Sequence, residues 1–123
     1  PEVELIFDGG DFTFRSGFEA GQRLIARLGS GAAVFAGNDD MAAGVMGAAH
    51  AAGLRVPQDI SICGFDDGWI AQSMWPYLTT IHQPVAAMAR TATNILIHPS
   101  GQGDGTVRLD YRLIERDSVI KNG

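Results

Sequence analysis

The chain of 123 residues has a single cysteine, Cys63, so no disulfide can form within it. That cysteine lies inside an apolar run and reads as a small buried hydrophobe rather than a reactive thiol. No stretch approaches the roughly 18 continuous apolar residues of a membrane-spanning helix. Positive charge is scarce: 9 Lys and Arg stand against 14 Asp and Glu, a net charge of −5, which argues against a nucleic-acid surface on this piece. His50, His82 and His98 fall in separate segments without metal-ligand spacing, so no metal site is expected. GGDFTFRSG has neither the GxGxxG nor the GxxxxGK[ST] spacing of a phosphate loop. No serine, cysteine or histidine has a partner at the spacing of a nucleophile and its base. No catalytic residue and no cofactor are therefore expected. Pro1 follows no methionine or signal peptide, so the chain reads as cut from a larger protein.

Apolar residues make up 46% of the chain, enough for the core of one compact domain or half of a larger one. The most informative stretch is ISICGFDDGWIAQSMWPYLTTIHQP, residues 60–84. Residues 60–65 form an apolar, partly β-branched run that stops at Asp66-Asp67-Gly68, which reads as a strand buried on both faces. Such strands belong to parallel sheets covered by helices, and those sheets bind ligands beyond the carboxyl ends of their strands. Asp66 sits at that end. Its carboxylate could accept hydrogen bonds from a polyol or heterocycle, or Asp66 or Asp67 could simply cap the next turn.

In chain order the same unit recurs. Residues 3–7 (VELIF) read as a first strand, ending in Asp8-Gly9-Gly10-Asp11. Ser16 and Glu19 have capping-box spacing, and Phe18, Gly21, Leu24, Ile25 and Leu28 follow at helical period until Gly29. Residues 32–36 read as a second strand, and Asp39 or Asp40 as the cap of a small-residue helix over 41–52. After the third strand, residues 78–83 are extended and Pro84 opens a helix with an apolar stripe at Val85, Met88, Ala89, Ala92, Ile95 and Leu96. SGQGDG (100–105) is a connector, and residues 107–114 alternate as a last strand at a sheet edge. Strand and helix in alternation predict a doubly wound α/β fold with a parallel, three-layer sheet. Asp11 with Phe12, Asn38 with Asp39, and Asp66 then converge on one sheet edge, a constellation suited to binding rather than catalysis.

NDDMAAGVMGAAHAAGLRVPQDISICGFDD, then WPYLTTIHQP, then RLIERDS resemble, in order and spacing, the effector-binding domain of LacI/GalR-type transcriptional repressors. GDFTFRSGFEAGQRLI is similar to the same family's segment upstream, and the resemblance covers residues 8–119. It implies a two-lobed, periplasmic-binding-protein-like type I fold with a small-molecule effector between the lobes. This chain would be the C-terminal lobe (1–123), with the 84–98 helix crossing to an N-terminal lobe absent here. The helix-turn-helix headpiece that binds operator DNA would be absent too.

By the same resemblance, Asp66 matches the effector-binding aspartate of the GFD motif, Asn38 the asparagine of the ND motif, and Phe12 an aromatic that stacks on sugar or base. Gln83 falls where the crossing segment lines the cleft, while Asp39 reads mainly as a helix cap. Family members dimerise through this lobe, which points to the small-residue helix (Met41, Val45, Ala49) and the loop around Trp75. The function implied is ligand sensing in a cytoplasmic, homodimeric, non-enzymatic regulator that answers to a sugar or related metabolite. The alternative is the periplasmic sugar-binding protein of a transporter, which shares fold and cleft.

Overall fold

The computed structural model describes residues 4–99 and 106–121. Its elements are α1 (Phe14–Leu28), β1 (Ala32–Phe35), α2 (Asp39–Ala51), β2 (Ile60–Asp66), a 3-10 turn (Trp69–Gln72), β3 (Thr79–His82), α3 (Val85–Ile97) and β4 (Arg112–Ile114). The strands form one sheet in the order β1-β2-β3-β4. β1, β2 and β3 are parallel, and β4 runs antiparallel to β3 with Thr80 opposite Ile114. The mostly parallel α/β sheet expected from the sequence is therefore present.

The core lies between the sheet and α2. Ile60, Ile62 and Gly64 of β2 turn inward onto Ala42, Val45, Met46 and Ala49 of α2 and onto Leu78 and Ala71. Helix α2 is buried on nearly every side because α1 packs across its far side. Its alanines and glycines make that possible: at Gly44 an added Cβ would stand on the Phe14 carbonyl oxygen, and at Gly17 on the Met41 carbonyl oxygen. The two helix backbones touch where only hydrogen can fit between them.

Several boundaries differ from the sequence reading. Residues 4–7 form no strand, and Val3 lies outside the described residues. Ion pairs hold that segment to α1 instead: Arg23 reaches Asp8 at 2.9 Å and Arg27 reaches Glu4 at 3.0 Å. Helix α1 is capped by Thr13, not Ser16; the Thr13 side chain accepts the Ser16 N–H at 3.1 Å, and Ser16 lies inside the first turn. β2 is buried on one face only, since Ser61, Cys63 and Phe65 are half-exposed among the described residues. The last strand is shorter than its alternation predicts and begins at Arg112, although it does form the sheet edge. Helix α3 forms as expected after Pro84, yet none of its residues is buried. The connector over 100–105 lies outside the described residues.

Candidate functional site

The carboxyl ends of β1, β2 and β3 bring Asn38, Asp66 and Gln83 to one edge of the sheet. Asp66 is exposed, and its Oδ1 accepts a hydrogen bond from Gln83 Nε2 at 2.6 Å. Its second oxygen has no protein donor among the interactions of the described residues, so it can accept from a ligand. Asn38 is the N-cap of α2: Oδ1 accepts the Met41 N–H at 2.9 Å, and Nδ2 donates to the Phe12 carbonyl at 3.0 Å. One amide proton of Asn38 remains for a ligand. The Phe12 ring is 66% exposed, and its Cε1 lies beside Gly37 at the end of β1. Phe12 therefore offers a bare aromatic face over the same edge, from a backbone at φ +67°.

Asp39 does not cap the helix, a correction to the sequence reading. It is 3% exposed and points beneath the turn after β2, where it accepts from Thr80 Oγ1 at 2.6 Å and Gly68 N at 2.7 Å. Burial pushes its carboxyl up, the two hydrogen bonds oppose that, and the nearby Asp66 and Asp67 charges reinforce it. Asp11 is also committed locally. Its carboxylate accepts from the Thr13 side chain at 2.6 Å, and that bond, with others from Ser16 and Thr13, holds it below the usual range.

Asp67, His82 and Arg116 were not expected from the sequence to meet, and the structure joins them. Asp67 accepts from Arg116 Nη2 and lies 3.0 Å from His82 Nδ1. Burial would raise the Asp67 carboxyl, but hydrogen bonds from Arg116 and His82 outweigh it and hold the group below its ordinary value. The signal available in the sequence was the cation in RLIERDS and the second aspartate of GFDD, separated by too many residues to be paired by spacing.

Below Gln83, an open apolar groove of about 520 Å3 is lined by Phe35, Phe65, Ile81, Met88 and Tyr111, among others. Among the described residues no group of His, Cys, Asp and Glu could hold a metal ion. The four residues expected to face a partner chain separate. Val45 and Ala49 are buried in this chain's own core, so they have no face to offer, whereas Met41 is half-buried beside α1. The cause is the α1–α2 crossing, which uses up the small-residue surface. Trp75 is 71% exposed, edge-on to Tyr77 at 5.5 Å. Together with Trp69, Met74 and His50 it lines a second groove.

Against known proteins, a family model described as a periplasmic binding protein-like domain matches residues 1–119. The ribose operon repressor of Escherichia coli K12 is 48% identical over 89 residues, covering 72% of this chain and 27% of the relative. The HTH-type transcriptional repressor PurR of Escherichia fergusonii is 43% identical over 113 residues, 89% of this chain and 33% of the relative. The chain thus spans about a quarter to a third of the length of these relatives. Among solved structures, the lac repressor dimer bound to operator and the anti-inducer ONPF superimposes with a TM-score of 0.83 at 33% identity, over 91% of this chain and 40% of that one. A LacI family regulator from Enterococcus faecium with bound ribose gives 0.74 at 28% identity, over 88% of this chain and 41% of that one. With the family model spanning nearly the whole sequence and repressors of one type on both comparisons, this chain belongs to the periplasmic binding protein-like domain family, in its LacI/GalR type.

Proposed function

We propose that this chain is the C-terminal lobe of the effector-binding domain of a LacI/GalR-type transcriptional regulator. It binds a sugar or related small metabolite against Asp66, Gln83, Asn38 and Phe12, and that binding modulates operator recognition by a helix-turn-helix headpiece elsewhere in the protein. The observation that carries the reading is the Asp66–Gln83 pair at the carboxyl edge of a parallel sheet, with a bare aromatic face at the end of the neighbouring strand. A carboxylate backed by an amide gives paired acceptors and donors for hydroxyls or ring N–H groups, and the phenyl face suits the apolar face of a sugar or a base. The lobe catalyses nothing in this reading, in keeping with relatives that are repressors.

A regulator is favoured over a transporter's binding protein because the relatives named above are repressors. The regulator reading places the protein in the cytoplasm; among the described residues no helix is long and apolar enough to cross a membrane. Helix α3, with Val85, Met88, Ile95 and Leu96 exposed, supplies an apolar stripe for the other lobe. The Trp69–Trp75 groove is the surface that would meet a second copy in a homodimer.

The test is calorimetry on the intact regulator. A panel of D-ribose, D-glucose, adenosine and adenine is screened first by thermal shift, and the binder is titrated into parent and Asp66→Ala protein. Removing a charge-assisted acceptor should cost about 2–3 kcal/mol, on the order of a hundredfold in affinity. Equal affinity in the variant would reduce Asp66 to a turn residue and sink the reading.

A further inference from the structure

β2 does not end in a relaxed turn. Asp66 leaves it at φ +115° and Asp67 at φ +54°, a region that non-glycine residues seldom adopt. Two such residues in sequence hold their shape only if the surroundings over-determine them. The surroundings do so from below and behind. The Asp67 N–H donates to Thr80 Oγ1 at 3.3 Å, and the Gly68 N–H donates to buried Asp39 at 2.7 Å. The Asp67 carboxylate is held by Arg116 Nη2 and His82 Nδ1.

Arg116 contributes the most contacts of these partners. Its Nη1 donates to the Leu78 carbonyl at 2.8 Å, and its own N–H donates to Thr79 Oγ1 at 2.9 Å. One guanidinium therefore bridges the start of β3 and the turn that carries Asp66, with both side chains of the ion pair about 15% exposed or less. The segment behind it is anchored as well: Ser118 is fully buried, its hydroxyl donates to the Ile62 carbonyl at 2.5 Å, and the Ser118 carbonyl accepts the Ile62 N–H at 2.8 Å. The charge is thus carried on a segment tied to β2 through Ser118.

We propose that Arg116 is a positioning residue of the ligand site: by gripping the Asp67 carboxylate and the Leu78 carbonyl together it holds the Asp66 carboxylate at the sheet edge, so ligand affinity depends on how the C-terminal segment is seated. The inference rests on the reading of Asp66 as a ligand-binding group. Arg116 acts on Asp66 only through Asp67 and the Leu78 carbonyl, the groups its guanidinium holds. A lysine could neutralise Asp67 but, lacking the planar fork, could not also hold the Leu78 carbonyl in the same geometry.

The test uses the intact regulator and the four-compound panel already described. Arg116→Lys, Arg116→Met and Asp66→Ala are made singly, and Arg116→Lys is combined with Asp66→Ala. The expected result is a loss of about tenfold in affinity for Arg116→Lys and more for Arg116→Met, from release of the turn. Added to Asp66→Ala, the Lys change should weaken binding no further, because its effect passes through Asp66. A purely structural role would instead lower the thermal midpoint while leaving affinity intact, or add fully to the loss at Asp66; either result overturns the proposal. If Asp66→Ala binds like the parent, the site reading itself has failed; if it loses affinity while Arg116→Lys does not, only the positioning role has. Hydrogen exchange gives a readout without ligand: Asp67 and Gly68 amides should exchange about tenfold faster in Arg116→Lys with α2 amides unchanged. Unchanged exchange at both amides overturns the proposal even if no panel compound binds. Should Arg116→Met fail to fold, the lysine variant carries every arm of the test.

Discussion

Gly44→Ala tests the packing that brings the two halves of the candidate site together. On helix propensity alone the change should stabilise, since alanine is favoured over glycine in a helix interior by about 1 kcal/mol. The structure predicts the opposite. The new methyl would stand on the Phe14 carbonyl oxygen, 2.5 Å from the Phe18 nitrogen and 2.8 Å from the Gly17 carbonyl carbon. All three are backbone atoms, so no side-chain rotation relieves the overlap. Helices α1 and α2 must part by about 1 Å, which forfeits a quarter to a half of the dispersion attraction along their contact. Overpacking of this kind typically costs about 1–3 kcal/mol, and here it falls near the upper end because the backbone must move. Net of the propensity gain, we expect destabilisation of about 1–2 kcal/mol, or roughly 4–10 °C in thermal midpoint for a domain of this size. Gly47→Ala is the internal control. Its methyl would meet the rings of Phe14 and Phe18 at 3.3 Å, and those can swing aside, so its midpoint should stay close to the parent. Circular dichroism melts and urea titrations of the three proteins decide the matter. A Gly44→Ala protein as stable as Gly47→Ala would refute the claim that the backbones are in contact. The same separation should draw the Phe12 carbonyl away from Asn38, weakening any ligand binding that uses the two together.

Acid stability should report the Arg55–Asp59 pair, whose side-chain and backbone hydrogen bonds hold the Asp59 carboxyl down at about 2. A depressed carboxylate stabilises the fold above the unfolded-state value and loses that contribution as pH falls from about 4 to about 2. The midpoint difference between parent and Asp59→Asn should therefore shrink across that window, and a constant difference would contradict the assignment. Trp75→Glu places a charge on the exposed Trp69–Trp75 groove. In the intact protein it should shift sedimentation from dimer toward monomer with little change in the melt, whereas an unaltered dimer would move the interface elsewhere.

Much of the architecture was legible because it follows from local chemistry. Residues 60–65 could only be a strand, being short, apolar and closed by a turn, and the small-residue run from Met41 onward had to be a helix ending at Gly53, which takes up φ +74°. Proline at 84 marked the entry to α3 within one residue because its ring sets φ and removes a donor. The acidic end of β2 was visible for the same reason, since an aspartate directly after a buried strand must lie at the sheet's carboxyl edge.

What the sequence could not determine depends on atoms far apart in the chain. The split of Asp39, Asp66 and Asp67 into buried acceptor, exposed acceptor and ion-pair partner is set by which donors tertiary contact brings near. Thr80, Gln83 and Arg116 supply those donors from beyond any local window. The strand expected over residues 3–7 is absent from residues 4–7 for a related reason: ion pairs to Arg23 and Arg27 tie that segment to α1. Small residues on α2 could have faced a partner chain or a neighbouring helix, and periodicity treats the two alike. The close crossing of Gly17 and Gly44 decided for the neighbouring helix, because two glycine faces remove the side-chain bulk that otherwise keeps helix axes apart.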